Sequence, residues 1–365
     1  MSEVGLRLEG ICKSFGNLQV LNTVFLDVEQ GELVTLLGPS GCGKSTTLNI
    51  VAGLLNADRG NVILRGKIVN NLPPQKRKVG MVFQSWALFP HMTVYENIAF
   101  GLQQRKWPRN AIRQRVAEML ALVRLQGVED KYPSQLSGGM RQRVAFARAL
   151  AVEPDILLLD EPFSNLDELL RREMEVETRN MQQELGITTL FVTHNQEEAL
   201  VMSDKVAVMF AGKIVEFDTP HNVYNYPKTP FVCRFLGDAN VLDGEVIREE
   251  ENYVIVKCGS LRFVVANSAT SVGQKVRIAF RPERVIIGRG ANRNRNDQPN
   301  LFHGRVKNVV YKGVFVHCSV TIGELETDVI QQCLNPEEIV NVDEEVYVYI
   351  PKEAILLYKM DKTDG

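Results

Sequence analysis

Nine residues constrain this chain more than any other stretch: Gly38-Pro39-Ser40-Gly41-Cys42-Gly43-Lys44-Ser45-Thr46. They fit G-x-x-x-x-G-K-[ST], the phosphate-cradling loop, with Gly38, Gly43, Lys44 and Ser45 in the fixed places. Ahead lies an apolar run of strand character, residues 32–37. Behind lies a segment, residues 45–55, whose apolar positions recur at helical spacing. A strand, a glycine turn and a helix start aim several backbone N–H groups and the positive end of the helix dipole at one spot. A strongly anionic group satisfies that arrangement, so a nucleotide is the expected ligand. Lys44 adds a charge for the β- and γ-phosphates, and the Ser45 hydroxyl is placed to ligate Mg²⁺. Cys42 lies inside the loop, where it reads either as a redox-sensing thiol or as an inert small residue.

The 365-residue length suits two or three domains. Apolar content of 45% and charged content of 24% describe an ordinary globular chain, and a net charge of −2 gives no electrostatic reason to expect nucleic acid. The six cysteines are scattered without metal-type pairs, as in a reduced cytoplasmic chain. No apolar run approaches the ~18 residues needed to cross a bilayer, and the N-terminus shows no signal-peptide core. A role at a membrane therefore requires another chain to hold this one there.

Val4–Cys12 and Val20–Val28 alternate as strands do, with a turn at Lys13-Ser14-Phe15-Gly16 between them. Phe15 reads equally as a ring stacking on adenine or as a turn residue packed on its own hairpin. Residues 61–69 form a further hairpin pattern. Lys78–Gln84 reads as a buried strand whose terminal amide either caps a loop or points into a site at the strand edge. Residues 85–92 are unusually aromatic for a loop. Trp86 and Phe89 there are either a docking surface or local packing. Val94–Arg124 is helical in pattern, an all-α insertion in an α/β domain that ends at Leu136-Ser137-Gly138-Gly139-Met140.

Ser137 is a good N-cap for the amphipathic helix that follows, and Gly138 and Gly139 leave its start bare of side chains. This is a second anion-binding helix terminus in one chain. The surplus makes sense if the second terminus serves a nucleotide held by another subunit. Asp155–Pro162 is a fully apolar strand ending in two carboxylates, the pattern of a central parallel strand. Asp160 at its tip is placed to hold Mg²⁺ through water, and Glu161, pointing the other way, to polarise a water at the γ-phosphate. Residues 187–193 form a β-branched strand that delivers His194 to the same edge, placed to touch a γ-phosphate.

Taken together these segments resemble the ATP-binding subunit of ABC transporters. LSGGMRQRVAFARAL is similar to the family signature, and GPSGCGKST and ILLLDEP to its two nucleotide motifs. FQSWALFPHMTVYENIAFGL resembles the glutamine loop of importers, and SNLD and VTHNQEEAL the aspartate and histidine loops. The likeness runs from about Leu6 to Gly237. The family's adenine-stacking position is commonly tyrosine; Phe15 keeps the ring and loses the hydroxyl. The resemblance implies a head-to-tail dimer with two ATP molecules between subunits. Each would lie between the phosphate loop (Gly38, Pro39, Ser40, Gly41, Cys42, Gly43, Lys44, Ser45, Thr46) of one copy and Ser137, Gly138 and Gly139 of the other, with Asp167 of the aspartate loop nearby. It further implies Glu161 as general base, His194 as γ-phosphate contact, Gln84 as the Mg²⁺ and water sensor, and Lys44 as a catalytic cation. Membrane-spanning permease subunits would dock near Trp86 and Phe89, and an extracytoplasmic solute-binding protein would act indirectly. The place of work would be the cytoplasmic face of the inner membrane.

Beyond Gly237 the chain turns to short alternating strands, with a polar break at 289–300. Gly244-Glu245-Val246 is echoed at Gly304-Arg305-Val306, and residues 276–282 at 346–351. This weak repeat predicts two small β-barrel halves. RPERVII there resembles the TOBE-like accessory domain of importers of sugars, polyamines, ferric iron and oxyanions. The expected fold is thus a phosphate-loop α/β ATPase domain over 1–237 with a helical insertion at about 90–150, then an all-β, OB-like domain over 238–365. The expected function is to energise import of a small hydrophilic solute. FPHMTVYENIAFGL and VVYKGV favour polyamine or ferric iron over sugar or oxyanion. The rivals are a soluble ABC-type ATPase acting on ribosomes or DNA, which usually carries two cassettes or a coiled coil, and a phosphate-loop kinase, which would leave LSGGMRQR without a purpose.

Overall fold

In the computed structural model, which describes residues 3–266, 270–289, 298–333, 335 and 339–360, the chain divides into two units, Met1–Val223 and Tyr224–Gly365. The first unit holds strands β1 (Val4–Phe15), β2 (Leu18–Glu29), β3 (Leu33–Leu37), β4 (Arg59–Leu64), β5 (Lys67–Ile68), β6 (Val79–Val82), β7 (Ile156–Asp160), β8 (Thr188–Thr193), β9 (Lys205–Phe210) and β10 (Lys213–Asp218). Its helices are α1 (Lys44–Ala52), α2 (Val94–Gln104), α3 (Arg109–Leu122), α4 (Gly138–Ala151), α5 (Glu168–Leu185) and α6 (Gln196–Met202).

A six-stranded sheet in the order β10-β9-β3-β8-β7-β6 forms the centre, parallel except for the β10 edge. Its continuous apolar runs follow from burial on both faces, because alternate side chains enter different cores. Ile156 and Leu158 of β7 join α1 and the antiparallel β2-β1-β4-β5 sheet in one core. Leu157 and Leu159 join α2, α3 and α4 in the other. All the strand tips that matter for chemistry, at Leu37, Asp160 and Thr193, therefore leave the sheet at the same carboxyl edge.

One expectation is refined and two need correction. The helical pattern over Val94–Arg124 is two helices, α2 and α3, parted at Trp107-Pro108, where proline lacks an N–H and restricts the residue before it. The strand expected to end at Gln84 stops at Val82, and Phe83–Trp86 turns instead, with the Trp86 N–H donating to the Phe83 carbonyl at 2.8 Å. Phe15 belongs to the end of β1 rather than to the turn, which falls at Gly16 with φ +58.

The second unit takes the end of the helix Pro220–Asn225 and the short helix Pro230–Phe235, and its other described elements are strands and two 3-10 turns. Its strands are β11 (Asn240–Glu249), β12 (Tyr253–Cys258), β13 (Leu261–Ala266), β14 (Lys275–Phe280), β15 (Ile286–Arg289), β16 (Leu301–Lys312), β17 (Phe315–Ile322), β18 (Leu325–Gln332), β19 (Glu345–Tyr349) and β20 (Leu356–Lys359). The sequence echoes occupy matching places: Gly244 of β11 pairs with Val276 of β14, and Gly304 of β16 with Val346 of β19. The halves are not separate barrels. Each gives its last strand to the other's sheet, β20 joining β14 and β15 joining β19, and one hydrophobic core runs through both. Residues 224–238 belong with this unit because the buried Arg281 guanidinium donates to the carbonyls of Tyr224, Cys233, Gly237 and Asp238. The polar break expected at 289–300 lies mostly outside the described residues.

Candidate nucleotide site

The phosphate loop turns between β3 and α1 with geometry only glycine permits at two points. Gly43 has φ +110, and a Cβ there would sit 2.5 Å from the Leu21 side chain. A Cβ on Gly38 would fall 2.3 Å from the Met209 carbonyl oxygen. No side chain caps the start of α1 and no acid sits in its first turn, so the first N–H groups remain available to an anion. Lys44 is 5% exposed and curls over the loop, its Nζ donating to the carbonyls of Gly38 at 2.7 Å and Pro39 at 3.0 Å. Cys42 is buried, and burial pushes its thiol pKa up, against the pull of Lys44. That environment makes a poor nucleophile and favours the inert reading over the redox one.

At the tip of β7 the two carboxylates diverge. Asp160 Oδ1 accepts from the Ser45 hydroxyl at 3.1 Å, and burial raises the Asp160 pKa while that hydrogen bond opposes the rise. Glu161 takes φ +44, an unusual conformation for a glutamate, which swings its carboxylate away from Asp160. Glu161 Oε2 lies 3.0 Å from His194 Nδ1 and accepts from Gln84 Nε2 at 3.5 Å. Gln84 is held in turn where its own carbonyl accepts from Asn165 Nδ2 at 2.8 Å. Six expected site residues, Lys44, Ser45, Asp160, Glu161, His194 and Gln84, thus gather at one edge of the sheet. Ser45, Asp160 and Gln84 offer hydroxyl, carboxylate and amide oxygen, hard donors that suit Mg²⁺ keeping several waters.

Five expected residues stand apart. Ser137 caps α4, its Oγ accepting from the Met140 N–H at 3.3 Å, and no hydrogen bond joins Ser137, Gly138 or Gly139 to the phosphate loop among the described residues. Asp167 caps α5 by accepting from the Leu170 N–H at 3.0 Å. Phe15 keeps an exposed ring, 51% accessible, with Lys13 Nζ 5.5 Å from its centroid and Lys13 itself paired to Asp58 at 2.7 Å.

The aromatic loop departs from the surface reading. Trp86 is 9% exposed and packs in the core under the helical insertion. Phe89 is half-buried against Phe100 at 4.7 Å between ring centroids. The loop is pinned by two residues that sequence inspection passed over. Arg148 donates to the carbonyls of Trp86 and Ala87, and buried Asn97 brackets Phe89, Met92 and Thr93 through their backbone groups. Their only sequence signal was a polar side chain on an otherwise apolar helix face.

The profile of the ABC transporter family matches residues 21–164, and that of the TOBE domain residues 278–357. The chain is 45% identical over 89% of its length, and 90% of the relative's, to "Spermidine/putrescine import ATP-binding protein PotA" of Clostridioides difficile. It is 46% identical to the protein of that name from Thermotoga maritima, over 84% of this chain and 83% of that one. The chain belongs to the ABC transporter ATP-binding family. Among solved structures, the first unit resembles a dimeric ATP-binding cassette in a post-hydrolysis state with ADP and Pi (TM-score 0.53, 31% identity, 59% of this chain and 98% of that one). It also resembles a cassette from Clostridium perfringens that is part of an ABC transporter complex (TM-score 0.56, 30% identity, 60% of this chain and 90% of that one). The cassette is an ATPase whose hydrolysis is coupled to transport, followed by a TOBE domain, and no helix among its described residues is long and apolar enough to cross a membrane.

Proposed function

We propose that this cassette energises polyamine import, working as a head-to-tail pair on the cytoplasmic face of the inner membrane beneath permease subunits. The relatives' names favour polyamine over the ferric iron that the sequence left equally open. The dimeric cassette with ADP and Pi, and the cassette within a transporter complex, support the pair and the permease contact. The observation that carries the catalytic reading is the cluster of Gln84, Glu161 and His194 beside Ser45–Asp160.

In this reading Lys44 releases the loop carbonyls and turns to the β- and γ-phosphates, while Ser45, Gln84 and Asp160 hold Mg²⁺, which screens phosphate charge when bound. Glu161 accepts the proton of the attacking water, held at the correct angle by His194 and Gln84. Phe15 stacks on the adenine, and Ser137, Gly138 and Gly139 of a second copy close the site from the far side, with Asp167 at the seam. ATP then acts as interfacial glue, and loss of the γ-phosphate reopens the pair. The loop at Trp86 and Phe89 serves as the permease seat, with Trp86 bracing it from beneath. A solute-binding protein outside the membrane acts only through the permease.

Glu161→Gln keeps the shape and hydrogen bonds but removes the base. ATP affinity stays near wild type while hydrolysis by the assembled transporter in the presence of spermidine falls on the order of 10²-fold or more. Undiminished turnover removes Glu161 from this role.

A further inference from the structure

Behind the γ-phosphate edge lies a group of charged side chains with no part in the chemistry above. Glu175 on α5 and Glu198 on α6 are 5% and 4% exposed. Buried acids are costly, and an apolar pair of the same volume would commonly hold a fold at least as well. Their surroundings give one of them an occupation. Glu198 Oε2 accepts from the Thr193 hydroxyl at 2.5 Å, and that hydroxyl accepts in turn from the Asn195 N–H at 3.0 Å. Asn195 then caps α6 through the N–H groups of Glu197 and Glu198. One buried carboxylate thus fixes the backbone on both sides of His194. The His194 side chain, 58% exposed, has Glu161 as its hydrogen-bonding partner, so its aim depends on that backbone.

The same carboxylate faces Arg171. The Arg171 Nε lies 3.9 Å from Glu198 Oε1 and makes no hydrogen bond, while Nη2 donates to the Leu166 carbonyl at 3.0 Å and Nη1 to Glu168 at 3.0 Å. Leu166 sits in the Ser164–Asp167 turn that leads into α5. A chain of contacts therefore joins the two loops that flank this edge: Leu166, Arg171, Glu198, Thr193, His194. Burial and then neighbouring Glu198 push Glu175 up to about 7; burial likewise raises Glu198, against the pull of the Thr193 hydroxyl and Arg171.

We propose that Glu198 is a positioning residue for ATP hydrolysis, fixing His194 through Thr193 and tying it to the Ser164–Asp167 turn through Arg171. This rests on the reading of His194 as a nucleotide-facing residue. Glu198 touches neither nucleotide nor water; it acts only through the backbone it holds.

The test uses the full chain, with ATP affinity, kcat, KM and Tm measured for each variant. Glu198→Ala lowers kcat about tenfold or more, as expected when a reacting group is misplaced by a fraction of an ångström, and leaves ATP affinity within about twofold. Glu198→Gln recovers most of the loss, because its amide oxygen still accepts from Thr193. In a His194→Ala background, Glu198→Ala makes no further difference to kcat. Unchanged kcat in Glu198→Ala, or a full additional loss in the His194→Ala background, overturns the proposal. So does a kcat loss that tracks a lowered Tm or ATP affinity. If His194→Ala itself hydrolyses ATP at the wild-type rate, the site reading falls first. If only Glu198→Ala does so, this inference falls alone.

Discussion

The starts of α1 and α4 pose the same electrostatic problem and meet it in opposite ways. At α1 the chain leaves its donors open: Gly43 caps with no side chain, and the loop curls into a cradle around Lys44. At α4 the chain satisfies itself, with the Ser137 hydroxyl on the Met140 N–H. The glycines differ too. Gly43 is demanded by its own fold, since any Cβ meets Leu21 at 2.5 Å. Gly139 is close to that limit, with Leu170 at 3.1 Å, but a Cβ on Gly138 would meet nothing nearer than Leu166 at 3.4 Å, an ordinary contact. A bare position that the surrounding fold does not require is what an incoming ligand requires. In the proposed pair, one terminus would supply half of a phosphate site and the other the clear surface that meets it.

The comparison breaks most visibly at Lys44. Lys44→Ala removes the mobile charge from the cradle, and ATP affinity measured on the isolated chain falls about 10- to 100-fold, as for loss of charge-assisted hydrogen bonds. An unchanged affinity denies the α1 site its ligand. Gly138→Asp sharpens the contrast from the other side. The isolated chain binds ATP as before, because its own cradle is intact, yet steady-state hydrolysis drops about 10-fold or more when a carboxylate meets the triphosphate. Should Gly138→Asp weaken ATP binding to the lone chain, the two termini share one site within a single copy.

A variant remote from both helix starts sets the baseline for smaller effects. Glu175 has its pKa raised from the ordinary 4.5 to about 7, first by burial and then by Glu198, with Glu197 and Glu168 adding to the rise and Arg171 opposing it. The folded chain therefore holds this proton more tightly than the unfolded one. Stability from this group is complete below about pH 4.5 and is lost as pH rises through about 7. Glu175→Gln mimics the protonated form, so denaturant unfolding shows it more stable than wild type at pH 8, on the order of 1–3 kcal/mol. The gap closes towards pH 5. A gap independent of pH assigns the effect to packing instead.

How much of this was legible in the chain follows a physical line. Local patterns survived intact: the β3–loop–α1 unit, the apolar run of β7 and the His194 strand tip each carry their cause within a few residues. What depended on distant partners did not. Trp86 stays open between docking surface and local packing because nothing nearby in sequence shows that Arg148, 62 positions on, clamps its carbonyl. The β-unit repeat was visible as an echo, yet the exchange of β15 and β20 between halves was not, since a strand's own alternation carries no mark of its neighbour. The Arg171–Glu198–Thr193 path left only polar residues in helices and a strand, where a solvated face would look the same.

The central claim is that each ATP site is assembled from the α1 cradle of one copy and the α4 start of another. Mixing Lys44→Ala chains with Gly138→Asp chains tests it directly. Each preparation alone hydrolyses ATP poorly. In mixed pairs one site carries both lesions and the other carries neither, so hydrolysis recovers to well above the level of either parent. If two such preparations, shown to pair with each other, recover no activity on mixing, both halves of the site reside in one chain and the account is contradicted.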